Sequence, residues 1–392
     1  MKKIDKLDKL DYLNHNMSHK KELSRREFLK LSALALGGLA LSGKGVNRRL
    51  MDWLPALQEE MPEFPANQPL GRICVGEPGA HFDLKSEPYW DAPKVGDVWR
   101  DDVIIWNREV IASQLNPNYI NQRWVETPDG YVYAEYVQKV RHEPQIPMTE
   151  LPETPEGERG MWVEIVTPYT VMTFQRGPSQ YWARETIRPR LYYSQIFWAF
   201  DTRRNPDTGK QQYCLMQLHG AFEDSYWVDA ELCRRITPEE VEPIHPGVPD
   251  KHIIVNINYQ TMICYEGDKE VYFAKVTTGG YSNQEERWLT PLGVHTIWEK
   301  RLSTHMSAGP TFGNYDIPGI GWTTLFDING AAIHSTFWHN YFGKPMSHGC
   351  VNARPEDAKW VWRWVEPAAP YYPGKVTIQG LNKSTQVEVV EV

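Results

Sequence analysis

Short runs of β-branched and aromatic residues, each closed by Gly, Pro or an Asx–Gly pair, recur along the chain from Gly71 onward. They include Asp102 to Trp106, Gly130 to Tyr133, Trp162 to Val166, Tyr213 to Leu218, Lys251 to Asn258 and Val271 to Thr277. Asp129-Gly130, Asn205 to Gly209 and Gly267-Asp268 supply turns between them. With 29 Pro and 28 Gly spread over 392 residues, such punctuation leaves little room for long helices, so the chain is expected to be mainly β. One exception follows Asn352: Pro355 suits a first helical turn, Glu356 and Asp357 suit its positive end, and Ala358, Val361, Trp362 and Val365 share a face. Thr237-Pro238-Glu239-Glu240 reads as a second, very short helix start.

The length has room for two or three domains. Ser24-Arg25-Arg26-Glu27-Phe28-Leu29-Lys30, followed by an apolar run from Leu31 to Leu41, matches a twin-arginine export signal within residues 1–45. The run is shorter than the ~20 residues of a membrane span, so no stable span is expected in the mature protein, which should lie in the cell wall or periplasm. Residues 46–70 read as a linker, 71–145 as one small β module, 146–249 as a second, 250–380 as a third domain, and 381–392 as a mobile acidic tail. Ser303 to Gly321, rich in glycine and without periodicity, reads as a long loop. A net charge of −8 with no basic stripe argues against a nucleic-acid partner. Five cysteines leave one unpaired at least. Cys214 and Cys233 could pair, while Cys264, in an apolar run, suits a buried thiol.

Chemistry concentrates in Ser347-His348-Gly349-Cys350-Val351-Asn352 and, just upstream, Ile333-His334-Ser335-Thr336. A thiol attacks as thiolate, so Cys350 needs a base, and His334 and His348 are the candidates. Gly349 permits a sharp turn that could aim successive N–H groups at an oxyanion. A core cysteine with surface histidines would be the bland reading, but the continuous Ser-His-Gly-Cys beside Ile-His-Ser-Thr disfavours it. A zinc site from His334, His339, His348 and Cys350 is a further alternative, and the two-residue separation of His348 and Cys350 fits no common ligand spacing. No metal or organic cofactor is expected.

These residues resemble the signature of the L,D-transpeptidase family (YkuD-type domain): a His, a spacer, then [S/T]-H-G-C-x-[N/R]. The similarity extends to Thr290-Pro291-Leu292-Gly293 and to Asn340-Tyr341-Phe342-Gly343-Lys344-Pro345, about the last third of the chain. It implies a β-sandwich with one short helix after the cysteine, Cys350 as nucleophile, and His334 as base with the Ser335 carbonyl or hydroxyl orienting its ring. His348 is the fallback base, and the amides around His348, Gly349 and Cys350 would hold the oxyanion. Ser347, Asn352, Trp338, His339 and Tyr341 would contact substrate near the cleft mouth, and Ser303 to Gly321 would be a lid. The implied partner is the peptidoglycan stem peptide, and the implied product a 3→3 cross-link or a wall-attached protein. Many relatives carry Arg where Asn352 stands, so a positive group is lost there. Trp124 with Asp129-Gly130-Tyr131-Val132 resembles a bacterial SH3-type ending, which implies a small barrel for wall binding or spacing, and the second module could be another.

Overall fold

The computed structural model describes residues 63–392 except 65–66, 77–78, 178–188, 222, 281–288, 309–314 and 379–383. The export-signal region and nearly all of the linker lie outside the described residues. Residues 62–392 form one compact unit.

The C-terminal domain is a sandwich of two five-stranded sheets. One runs Lys269–Lys275, Thr261–Glu266, Lys251–Asn256, Gln386–Val390, Gly293–Thr296; the other runs Val351–Ala353, Ala332–Ser335, Tyr315–Leu325, Glu299–Ala308, Lys375–Thr377. Lys251–Asn256 alternates buried and half-buried positions, as a strand with one face in a core must. Ile253, Val255, Met262 and Cys264 meet Trp322, Ile333 and Val351 from the facing sheet in a single core. Cys264 is thus the buried thiol the sequence implies.

The helix Pro355–Trp364 follows the second sheet, with Pro355 in its first turn and Ala358, Val361 and Trp362 fully buried, as expected. Its last carbonyls, which no helical N–H can reach, are met by two buried lysines. Lys251 Nζ donates to the Trp364 carbonyl at 2.8 Å, and Lys300 Nζ to those of Val365 at 2.8 Å and Pro367 at 3.0 Å. Burial pushes the Lys300 ammonium down to about 7.

Two expectations fail here. Of Ser303 to Gly321, residues 309–314 lie outside the described residues and the rest is no irregular loop: Glu299–Ala308 and Tyr315–Leu325 pair antiparallel from Glu299↔Leu325 to Ala308↔Tyr315, with a register shift at Thr304/Met306. Its polar residues Ser303, Thr304, Thr323 and Thr324 are all buried, so no apolar alternation marked it as sheet. Nor is the C-terminus a mobile tail. Gln386–Val390 is a central strand, parallel to Lys251–Asn256 and antiparallel to Gly293–Thr296. Val387 and Val389 enter the core, a period-2 signal that the flanking glutamates obscured.

Residues 70–140 form a module of a three-stranded and a five-stranded sheet around Ile73, Val98, Trp106, Val125 and Val132. Its first strand starts at Leu70, within the stretch read as linker. Residues 161–235 form a second module with a six-stranded and a two-stranded sheet. Both close the same way. A hairpin ends in a 3₁₀ turn, Ala134–Tyr136 or Ala230–Leu232, which throws the last strand back onto the first. The residues entering these turns have φ/ψ of −60/127° at Tyr133 and −60/121° at Asp229. The second module shares its core with the C-terminal domain through Trp162, Ile196, Trp198, Ile236 and Val241, and Trp162 Nε1 donates to the Tyr371 carbonyl at 2.7 Å. Thr237 and Glu240 form a capping box on the 3₁₀ turn Pro238–Val241, which is the short helix start read from sequence. Cys214 and Cys233 are separate buried free thiols.

Candidate functional site

The site is built on two parallel strands. Ala332–Ser335 and Val351–Ala353 pair as Ile333↔Val351, His334↔Asn352 and Ser335↔Ala353. Ile333 and Val351 point into the core, so alternation puts His334 and Asn352 together on the opposite face. Cys350 immediately precedes the second of these strands. The turn Asp327–Gly330 joins Tyr315–Leu325 to Ala332–Ser335, the strand that carries His334.

His334 is buried, and its Nδ1–H donates to the Ser335 carbonyl at 2.9 Å. That bond fixes the tautomer with the lone pair on Nε2. Of the two alternatives for Ser335 it is the carbonyl that orients the ring; the hydroxyl accepts from Gly321 N–H at 3.0 Å and ties the strand to its neighbour. Burial lowers the His334 pKa to about 4. Cys350 is half-buried, its thiol faces the Gly330 carbonyl at 3.8 Å, and burial raises its pKa to about 11. At neutral pH the resting pair is therefore an uncharged thiol and an uncharged imidazole.

The Ser347–Cys350 loop is braced from within. Gly349 has φ of +112°, a backbone state that L side chains rarely adopt. Ser347 Oγ accepts from Gly349 N–H at 3.2 Å and donates to the Cys350 carbonyl. Ser347, expected to contact substrate, thus holds the loop instead, and the Gly349 amide, expected at the oxyanion, is engaged. From outside, residues 277–280 clamp the loop: Ser347 N–H donates to the Thr278 carbonyl at 2.9 Å, Gly280 N–H to that of Ser347 at 3.0 Å, and Asn352 N–H to that of Thr277 at 2.8 Å. Sequence reasoning missed this clamp. Its signal was Gly279-Gly280, since a Cβ on Gly280 would lie 2.8 Å from the Pro345 carbonyl oxygen.

His339 lies beneath the site and not at its mouth. It is buried, Tyr341 N–H donates to its Nδ1 at 3.2 Å, and the Asn352 amide sits 2.9 Å from its Nε2. Asn352 Nδ2 is the atom placed at Nε2; with Nδ1 accepting, the neutral ring carries its hydrogen on Nε2, so the bond forms with the amide flipped to bring its oxygen there. Burial, with His334 nearby, lowers the His339 pKa to about 3. Asn352 is likewise a buried partner of His339, which removes its amide from the exposed surface. Trp338 is half-buried, with its ring 5.9 Å from that of His334, and Tyr341 stacks on His339 at 5.3 Å.

His348 is exposed, and its ring lies 5.4 Å from that of Tyr315. Tyr315, whose hydroxyl is pushed up by burial and by Cys350, is a site residue that sequence reasoning missed because it sat in the presumed loop. His295 stays on its strand, its Nε2 donating to the Pro291 carbonyl at 2.9 Å. Among the described residues no group of three or more His, Cys, Asp or Glu side chains could hold a metal ion.

Residues 250–389 match the family model of the L,D-transpeptidase catalytic domain (YkuD). The chain is similar to an L,D-transpeptidase (residues 123–326) of Xylanimonas cellulosilytica DSM 15894, at 21% identity over 38% of this chain and 64% of that one, with a TM-score of 0.26. Against the catalytic domain of the Enterococcus faecium L,D-transpeptidase the values are 24% identity, 37% and 99% coverage, and a TM-score of 0.28. An L,D-transpeptidase of Mycobacterium tuberculosis H37Rv matches at 15% identity over 50% and 90%, with a TM-score of 0.27. The chain spans less than two thirds of the Xylanimonas structure's length. No curated protein matches the chain by sequence.

Proposed function

We propose that this chain is a peptidoglycan L,D-transpeptidase acting through a Cys350 thioacyl-enzyme. The observation that supports the reading is the parallel pairing of the His334 strand with the strand that Cys350 leads into, together with the commitment of His334 Nδ1 to the Ser335 carbonyl, which leaves Nε2 to act as base. The match of residues 250–389 to the L,D-transpeptidase catalytic domain supplies the substrate class.

Burial raises the thiol and lowers the imidazole, so both shifts favour the neutral pair before substrate arrives. The proton therefore moves as the bond forms. Cys350 Sγ attacks the carbonyl of the third residue of a donor stem tetrapeptide while its proton passes to His334 Nε2. The tetrahedral intermediate collapses, the bond to the terminal D-Ala breaks, and His334 returns the proton to the leaving amine. An acceptor amine then attacks the thioester, gives its proton to His334, and the released sulfur is reprotonated. The product is a 3→3 cross-link or a wall-attached protein; water as acceptor would make the enzyme an L,D-carboxypeptidase. The oxyanion is received by amides of the Ser347–Cys350 loop other than those of Ser347 and Gly349, which already donate to the Thr278 carbonyl and to Ser347 Oγ.

The twin-arginine motif supports an extracytoplasmic site of action, and among the described residues no helix is long and apolar enough to cross a membrane. The two modules that close through a 3₁₀ turn are proposed as SH3-like units. The fusion of the second with the C-terminal core favours a scaffolding role for it over a separate wall-binding one.

The test is intact-protein mass spectrometry after incubation with a disaccharide tetrapeptide. An acyl adduct with D-Ala release on the natural protein, absent from Cys350→Ala, is the expected result. A folded sample giving neither would refute the reading and favour a non-catalytic wall-binding protein.

A further inference from the structure

Among the described residues, the segment that leaves the His334 strand has no strand partner from Thr336 to Asn340, yet it carries Trp338 and His339. Both its ends are fastened to the module of residues 70–140. At one end the Phe337 carbonyl accepts from Arg72 Nη2 at 2.5 Å. At the other, Asn340 Nδ2 donates to the carbonyls of Ala134 at 2.9 Å and Val137 at 3.0 Å, capping that module's 3₁₀ turn. Lys344 adds an ion pair with the buried Glu135 of the same turn at 3.5 Å.

Arg72 is held rigidly for this task. It is 2% exposed, its Nη1 bonds Asp101 at 2.8 Å, and its Nη2 also bonds Gln138 at 2.9 Å. Its guanidinium lies 4.3 Å over the ring of Tyr192, which in turn stacks on Phe337 at 5.8 Å. Arg190, from the second module, bonds the other oxygen of Asp101 at 2.9 Å. Burying a charged fork is costly where an apolar side chain would fill the space, so its retention is better explained by what the fork orients.

We propose that Arg72 is a positioning residue of the active site: through the Phe337 carbonyl it sets the segment whose Trp338 flanks the His334 ring and whose His339 braces Asn352. The module of residues 70–140 is then part of the catalytic framework, with Asn340 as the second anchor. The inference rests on Cys350 and His334 being the reacting pair. A shift of the reacting groups by about 1 Å is enough to slow chemistry on the order of 100-fold.

The test compares the natural protein with Arg72→Gln, Arg72→Lys and Asn340→Ala, each checked for folding by thermal melting. Two readouts are taken: kcat and KM for D-Ala release from a disaccharide tetrapeptide, and the pH profile of Cys350 alkylation by iodoacetamide, which needs no peptide. Arg72→Gln should lower kcat on the order of 10–100-fold with KM little changed and should shift the alkylation profile to lower pH, because a loosened segment admits water to the buried thiol. Arg72→Lys, which keeps one donor for the Phe337 carbonyl, should recover part of both. Asn340→Ala should move both readouts in the same direction, by less. Folded variants with natural kcat and an unchanged alkylation profile overturn the proposal. If Arg72→Gln does not fold, Asn340→Ala decides it by the same criterion. If the natural protein releases no D-Ala, the transpeptidase reading fails and the alkylation profile alone judges the inference.

Discussion

The Asn352 amide meets His339 Nε2 at 2.9 Å inside the protein, so two polar side chains from separate segments satisfy each other directly beneath the reacting groups. Removing one partner strands the other. Asn352→Ala should leave the His339 N–H buried and unpaired, at a cost of about 1–3 kcal/mol. Urea unfolding of the variant would measure this, and an unchanged midpoint would refute the pairing.

The neutral resting pair has a kinetic consequence. A thiol pushed up to about 11, with the candidate base lowered to about 4, offers little thiolate at pH 7. Alkylation of Cys350 by iodoacetamide should be slow at neutral pH and should climb toward pH 11 without an inflection between pH 5 and 8. Peptide mapping assigns the adduct, since the other four cysteines are buried. An inflection near pH 6 would reveal a preformed ion pair and contradict the mechanism.

Acid should destabilise the fold through the same histidines. His334 and His339 have folded pKa values near 4 and 3, below the ordinary 6.5. Between those values the unfolded chain binds protons that the folded chain refuses. Their stabilising contribution is therefore full above about pH 6.5 and is lost as pH falls, by up to about 1.4 kcal/mol per pH unit for each. His142 and His219, also lowered by burial, add to the slope. Comparison with His339→Gln isolates one group: its stability should fall less steeply from pH 7 to pH 5, whatever its absolute value. Parallel slopes would mean that His339 is not held neutral.

The stretches that carry the candidate pair, Cys350 and His334, stood out in the sequence because each is local: Ser-His-Gly-Cys and Ile-His-Ser-Thr each stand in one short stretch. What was not legible depends on pairings between distant segments. His339 looks like a surface histidine until parallel strand pairing brings Asn352 to it, and Ser347 looks like a substrate contact until the loop folds its hydroxyl onto Gly349. The long strand pair was hidden for a related reason. Its buried positions are Ser303, Thr304, Thr323 and Thr324, and they are satisfied by contacts such as Gln217 with Ser303 at 2.7 Å and Ser303 with the Ile196 carbonyl at 2.5 Å. A pattern search keyed to apolar residues passes over such a strand.

Loop bracing can be tested at Ser347. Ser347→Ala removes both the acceptor for Gly349 N–H and the donor to the Cys350 carbonyl. Loss of these bonds should cost about 1–3 kcal/mol. The freed loop should also lower kcat for D-Ala release more than it alters KM, because the thiol loses its fixed place while the peptide cleft is untouched. A raised KM with kcat unchanged would return Ser347 to the substrate-contacting role first expected of it.

The C-terminal strand provides the last test. Gln386–Val390 lies between Lys251–Asn256 and Gly293–Thr296, pairs with both, and buries Val387 and Val389. Deleting residues 384–392 would expose two core side chains, each worth roughly 1.5–3 kcal/mol of burial, and leave the facing edges of both neighbours unpaired. Ser384 also bonds the carbonyls of Ile297 and Glu366. The total approaches the whole stability of a typical domain, so the truncated chain should lose its cooperative thermal transition and become sensitive to limited proteolysis within residues 250–380. A true tail would come away without effect. A truncated protein that melts like the natural one would therefore show that the sheet closes without this strand.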